Sequence, residues 1–122
     1  MEAVLKGLGG LVPSRAASET AVDTDLMGGQ AQKAASFLKA LGHEGRLMIL
    51  CHLCSGEKSV TELETLLSAR QASVSQQLAR LRLEGVVRYR RDGKTIYYRL
   101  ADDNVRQAID LLYKIFCTSA QD

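Results

Sequence analysis

Hydrophobic positions change period partway along this chain. From Leu63 to Leu83 they recur every three or four residues, at Leu63, Leu66, Leu67, Val74, Leu78, Leu81 and Leu83. That spacing predicts two helices, each with one apolar stripe. After Gly85 the spacing becomes two, at Val87 and Tyr89 and then at Ile96, Tyr98 and Leu100. A period of two predicts strands with one covered face. Asp92-Gly93 supplies a two-residue turn between them, because glycine accepts the positive φ of a type I′ turn. With that turn Tyr89 faces Ile96 and Val87 faces Tyr98. Arg88, Arg90, Thr95, Tyr97 and Arg99 then share the other face.

The flanking segments are helical too. Gln30 to Leu41 places Ala31, Ala34, Ala35, Leu38 and Leu41 on one face, with Phe37 beside it, and Gly42 ends it. A second helix runs from about Glu44 to Cys54 and stops at Ser55-Gly56. Ser59 or Thr61 caps the third, and Thr61 has Glu64 at the capping-box spacing. The fourth starts between Gln71 and Ser73. Asp102 or Asp103 caps a last helix to about Cys117, striped by Val105, Ala108, Ile109, Leu112, Ile115 and Phe116. Gly7, Gly9, Gly10, Pro13, Gly28 and Gly29 break any core pattern, so residues 1–29 read as a mobile tail. Residues 30–118 read as one domain and 119–122 as a short C-terminal tail. The order predicts a mainly α winged helix-turn-helix with a β-hairpin wing. The first and last helices carry stripes that so small a unit cannot wholly cover, which predicts a homodimer through them. The alternative is that both stripes pack inward on one monomer.

Charge turns this fold prediction into a functional one. From Ser68 to Leu100 eight basic residues face only Glu84 and Asp92, a net of +6, whereas the whole chain of 122 residues is only +2. A basic region on an otherwise acidic chain is the footprint of a phosphate binder, here double-stranded operator DNA. On the fourth helix Gln71, Ser73, Ser75, Gln76 and Gln77 are the candidate base readers. Arg80 is assigned to phosphate, as are Arg90, Arg91 and Lys94 around the hairpin turn. No nucleophile elbow, phosphate loop or H-E-x-x-H sequence is present, so neither an enzyme nor a cofactor is expected. No stretch reaches the ~20 apolar residues of a membrane span. Three cysteines, an odd number, argue against a secreted disulfide framework, and the N-terminus lacks a signal-peptide pattern. A reducing cytoplasmic setting is expected.

The cysteines are the remaining chemistry. Leu47, Ile49, Leu50 and Leu53 define the apolar arc of the second helix. Cys54 falls inside that arc and Cys51 at its margin, so Cys54 reads as a small core residue. Cys117 lies off the stripe of the last helix. Cys51-His52-Leu53-Cys54 spells C-x-x-C, but at the end of a helix, where the dipole disfavours a thiolate. A dithiol oxidoreductase is therefore the weaker class. His43 is assigned to a helix-entry turn and His52 to a helix surface.

The segments LKALGHEGRLMILCHL and LSARQASVSQQLARLRLEGVVRYRRDGKTIYYRL together resemble the ArsR family of bacterial repressors over about Gln30 to Cys117. The resemblance implies a homodimer that releases its operator on sensing an inducer. Many members sense metal ions. One common cysteine site lies in the helix before the recognition helix, where this chain has Val60-Thr61-Glu62-Leu63-Glu64. Another uses His and Asp in the last helix, which here has no His. The pair Cys51 and Cys117 instead resembles the dithiol, SqrR/BigR-type branch. That branch implies a persulfide inducer, no metal, and loss of DNA binding when the two sulfurs are joined. A soft-metal site from Cys51, Cys54 and Cys117 is the alternative. The extra thiol of Cys54 and the long N-terminal segment depart from the shared pattern.

Overall fold

The computed structural model describes residues 21–69 and 71–118, and for Gln71 and Ala72 the backbone alone. Most of the expected N-terminal tail, the expected tail at 119–122, and Arg70 lie outside the described residues. The chain divides after Lys33 into two compact units. Helix α1 (Thr24–Leu41) begins in the first of them, earlier than the expected start at Gln30. Its start is set by Asp23, whose Oδ1 accepts from the Asp25 and Leu26 amides at 3.0 and 3.1 Å. Such a cap is worth about 1 kcal/mol, enough to offset much of the cost of one helical glycine at Gly28 or Gly29.

In the second unit α1 ends on Ala40 and Leu41, both buried. Leu38, on the apolar face expected to meet a second copy, is 65% exposed. Arg46 closes this helix end: Nε donates to the Ala40 carbonyl at 2.7 Å and Nη2 to the Lys39 carbonyl at 2.9 Å. These bonds satisfy carbonyls that a helix terminus leaves free. Helix α2 (Glu44–Leu53) is capped by His43, whose Nδ1 accepts from the Gly45 amide at 3.0 Å. It buries Ile49, Leu50 and Leu53, and Gly56 turns the chain with φ of 135°.

A short strand follows that the hydrophobic pattern does not announce. β1 (Lys58–Ser59) pairs antiparallel with β3, so the hairpin belongs to a three-stranded sheet of order β1-β3-β2. That pairing holds Ser59 extended, which decides the cap of α3 (Val60–Leu67) in favour of Ser59 over Thr61. The Glu62 amide donates to Ser59 Oγ at 3.1 Å and the Ser59 amide to Glu62 Oε1 at 2.7 Å. Both halves of a capping box are therefore present. Ser68, at φ of 53°, ends α3 in the left-handed region and begins the turn to α4 (Gln71–Leu83).

Val74, Leu78 and Leu81 bury one face of α4, but Leu83, expected to extend that stripe, is 83% exposed. Gly85, at φ of 75°, reverses the chain there. Its amide donates to Arg82 and that of Val86 to Leu81, the paired bonds of a Schellman ending. The wing is β2 (Val87–Asp92) and β3 (Thr95–Leu100). Its turn residues are Gly93 and Lys94, not the expected Asp92 and Gly93, because Asp92 pairs with Thr95. Gly93 has φ of 66°, and Lys94 has no positive φ. Glycine at the first turn position alone suits type II′; a type I′ turn here would have required positive φ at Lys94 as well.

Tyr89 therefore opposes Tyr98, not Ile96, and Val87 opposes Leu100, not Tyr98. The shift is by two residues, so each side chain keeps its predicted face. Helix α5 (Asp103–Tyr113) is capped by Asp102, whose Oδ1 accepts from the Val105 amide at 3.1 Å. It continues as a π-helical turn, Lys114–Thr118, that carries Cys117. Val105 and Ile109 join the core, whereas Ile115 and Phe116, expected on the same stripe, are 49% and 68% exposed. The wider π turn changes the angle at which residues beyond Tyr113 project.

Candidate nucleic-acid interface and thiol site

Helix α4 is held by its buried face and offers the opposite one. Gln76 stands two residues from Val74, about 200° around the helix, so it points away from the core. Ser73, Ser75, Gln76, Ala79 and Arg80 are exposed and Gln77 is half-buried. The candidate readers divide between two edges. Ser73 and Gln77 line a cleft of about 310 Å³ with His43, Gly45 and Met48, at the start of α2. Ser75 lines a second cleft, of about 260 Å³, with Thr61, Lys94 and Thr95, between α3 and the wing. Gln71 begins α4, but its side chain lies outside the described residues. Arg80 is exposed and meets Glu84 one turn on, Nε to Oε2 3.3 Å. An exposed pair of this kind is worth little and exchanges readily.

The wing presents its cations unequally. Arg91 lies just before the turn and Lys94 within it; both are exposed and form no ion pair among the described residues. Arg90 is engaged: Nε and Nη2 donate to the two carboxylate oxygens of Glu57 at 2.8 and 2.7 Å. Its guanidinium also lies 4.7 Å from the centre of the Tyr97 ring. The Arg90 guanidinium beside Glu57 holds that carboxyl below its ordinary range. On the same face Arg88 sits directly opposite Arg99. Like charges paired across a ladder are destabilising, and a polyanion laid along them relieves that strain. Arg82 stacks over Tyr89, 4.7 Å from its ring centre, tying α4 to the wing.

The thiols lie on a different part of the unit. Cys51 is exposed on α2, while Cys54, the C-cap of α2, packs partly against the core. Cys117 is half-buried in the π turn after α5. Although the Cys51 side chain is exposed, the protein packed around it partly desolvates its thiol and raises its pKa, and the charges of Cys54 and Cys117 raise it further. Cys51 and Cys117, distant in sequence, thus lie within electrostatic reach of each other. Cys54 is raised chiefly by burial, with Arg106 acting to lower it and Asp110 to raise it. Arg106 of α5 also donates to the Cys54 carbonyl. Among the described residues no three His, Cys, Asp or Glu side chains are grouped to hold a metal ion, so the three cysteines do not form such a set. Glu57 and Arg106 were not legible in the sequence: their partners lie far along the chain, and neither belongs to a local motif.

A recognition-type helix with polar residues outward, backed by a basic wing, defines a winged helix-turn-helix regulator. Residues 43–89 match the bacterial regulatory protein, arsR family. The chain is 50% identical over 88 residues to the biofilm growth-associated repressor of Agrobacterium fabrum, covering 72% of this chain and 75% of that one. The crystal structure of the transcriptional repressor BigR from Xylella fastidiosa superposes with a TM-score of 0.74 at 43% identity, over 79% of this chain and 98% of BigR. A homodimeric winged helix-turn-helix DNA-binding domain from Mycobacterium bovis matches at a TM-score of 0.67 and 30% identity, over 79% and 89% of the two chains. This protein belongs to the ArsR family of bacterial regulatory proteins, and it is a DNA-binding transcriptional regulator rather than an enzyme. No described helix is long and apolar enough to cross a membrane.

Proposed function

We propose that this protein is a homodimeric repressor that leaves its operator when Cys51 and Cys117 of one subunit become joined through sulfur. The observation that carries the reading is the exposed Cys51 thiol within coulombic reach of Cys117. A small-molecule persulfide is the inducer. The Cys51 thiolate attacks its outer sulfur, the small thiolate leaves, and Cys51 becomes a persulfide. The Cys117 thiolate then attacks the sulfur of Cys51, expelling hydrosulfide and leaving a disulfide. If both residues carry persulfides, one displaces hydrosulfide from the other and a trisulfide remains. If one residue first takes a second sulfane sulfur from another persulfide, releasing its small thiolate, the same displacement of hydrosulfide leaves a tetrasulfide. Inserted sulfur atoms bridge thiols held too far apart for a direct disulfide, which needs Cα atoms within about 7 Å. Where the two thiols stand beyond that reach, persulfide is favoured over peroxide.

The two-fold partner is a second copy of the chain. Leu38, Leu111, Ile115 and Phe116 form exposed apolar surface that a single copy leaves uncovered. The Mycobacterium bovis relative is homodimeric, which supports the same assembly here. Gln76 and its neighbours Ser73, Ser75 and Gln77 read base edges, with Gln71 completing the set, while Arg80, Arg91 and Lys94 meet phosphate. A sulfur bridge ties α2 to the end of α5, and α5 is the dimerising helix. It therefore changes the separation of two recognition helices that the duplex requires about one helical turn apart.

Gel-shift titration with promoter DNA, before and after persulfide, tests the reading together with intact mass. Cys51→Ser and Cys117→Ser should bind as the parent does and stay bound after persulfide, while Cys54→Ser should release. Induction lost in Cys54→Ser but kept in Cys51→Ser would refute this pairing.

A further inference from the structure

The sequence groups Arg90 with Arg91 and Lys94 as wing cations that reach for phosphate, and in the structure its side chain pairs with Glu57. Both carboxylate oxygens of Glu57 accept from it, at 2.7 and 2.8 Å, in the two-point geometry that fixes a guanidinium plane. A second carboxylate, that of Asp92, stands 3.7 Å from Nη1 as a looser ion pair, and the Tyr97 ring lies beneath the guanidinium. Glu57 itself stands on a loop pinned at both ends. Upstream, Arg106 donates to the Cys54 carbonyl. Downstream, Lys58 and Ser59 pair with Tyr98 and Tyr97 of the wing's own strand β3. An acid held this way is a fixed post, and Arg90 on β2 is the stay that runs to it.

We propose that Glu57 and Arg90 are positioning residues for DNA binding: their ion pair sets the bearing of the wing, leaving Arg91 and Lys94 as its phosphate contacts. The inference rests on the DNA-binding reading but is independent of the thiol switch. Its sign is opposite to plain electrostatics. Removing an acid beside a basic surface normally strengthens binding to a polyanion. Removing Glu57 weakens it here, because the wing loses its bearing. The pair is partly exposed, with Arg90 at 48% and Glu57 at 29%, so the effect is modest. Operator affinity should fall about two- to fivefold, the size expected of a well-formed surface pair.

The experiment uses the full chain, free and on operator DNA, with Glu57→Gln, Arg90→Met, the double variant, Arg91→Met and Lys94→Met. In the free protein, amide relaxation by NMR should show the wing tip, residues 91–94, less ordered in Glu57→Gln and Arg90→Met than in the parent. On DNA, Glu57→Gln should bind less tightly, and the double variant should bind no worse than Arg90→Met. The salt dependence separates the roles. Arg91→Met and Lys94→Met should each reduce the slope of log affinity against log salt by about one unit, and Arg90→Met should leave it unchanged. Tighter binding by Glu57→Gln, a slope reduced by about one unit in Arg90→Met, or an unaltered wing tip would each overturn the proposal. Failure of the DNA-binding reading would show in the parent chain itself, whereas failure of this inference shows only in the variants.

Discussion

At the scale of single residues, environment sets reactivity more than residue type does. Cys51 is accessible yet harder to ionise than a free thiol, because burial and two neighbouring sulfurs disfavour its thiolate. A thiol raised in the folded state contributes stability below its unfolded value, about 8.5, that is lost as pH climbs through the folded value. Alkylation of Cys51 should accordingly be slower near pH 7 than for a free cysteine and should keep accelerating past pH 9. Cys117→Ser removes one of the opposing charges and should move that profile to lower pH; mass-resolved alkylation rates of both proteins decide it. Gln76 is an exposed polar residue of α4 on the face opposite its core stripe. Gln76→Ala should reduce the preference for operator over random DNA by about 1–3 kcal/mol, the worth of a bidentate base contact. Competition binding with both DNAs measures this, and equal discrimination would remove Gln76 from the reading set.

At the scale of elements, Ser59 joins two of them. It ends β1, where it pairs with Tyr97, and it caps α3 through the reciprocal bonds with Glu62. Ser59→Ala should destabilise the protein by about 1 kcal/mol, the usual cost of a lost cap. Urea unfolding followed by circular dichroism would show it as a lower midpoint with an unchanged slope. The same element explains why the capping box expected from the sequence, Thr61 with Glu64, gave way to one between Ser59 and Glu62. Ser59-Glu62 and Thr61-Glu64 have identical spacing, and strand pairing with β3 chose between them. The wing shows the same relation. Its strands, glycine turn and faces follow from alternation and composition, whereas the register moved by two because Gly93 occupies the first turn position.

At the scale of the whole molecule, the distribution of apolar surface points to assembly. The core takes Val105 and Ile109 from α5 and leaves Leu111, Ile115 and Phe116 outside, while Leu38 of α1 is also uncovered. Phe116→Glu should shift the protein toward monomer and weaken operator binding, since one half-site is lost when the pair separates. Sedimentation equilibrium reads the first effect and a gel shift the second. A dimer as tight as the parent's would place the interface elsewhere.

Local patterning was sufficient for the class of this fold. Helix periodicity, caps, the turn glycine and the basic segment act over a few residues, so they are written where the sequence can be read. The outward placement of Gln76 and the division between accessible Cys51 and sheltered Cys54 follow from the same helical geometry. Tertiary structure alone decided the rest. Strand β1 and the ion pair of Glu57 with Arg90 carried no local signature, whereas the start of α1 at the Asp23 cap and the outward turn of Leu83, two residues past Leu81, follow from local geometry. Residues 57 and 90 meet because β1 is drawn onto the edge of β3, and α5 reaches the end of α2 where Arg106 meets the Cys54 carbonyl. Such contacts depend on how elements pack, and no spacing along the chain encodes the distance between two side chains brought together by a fold.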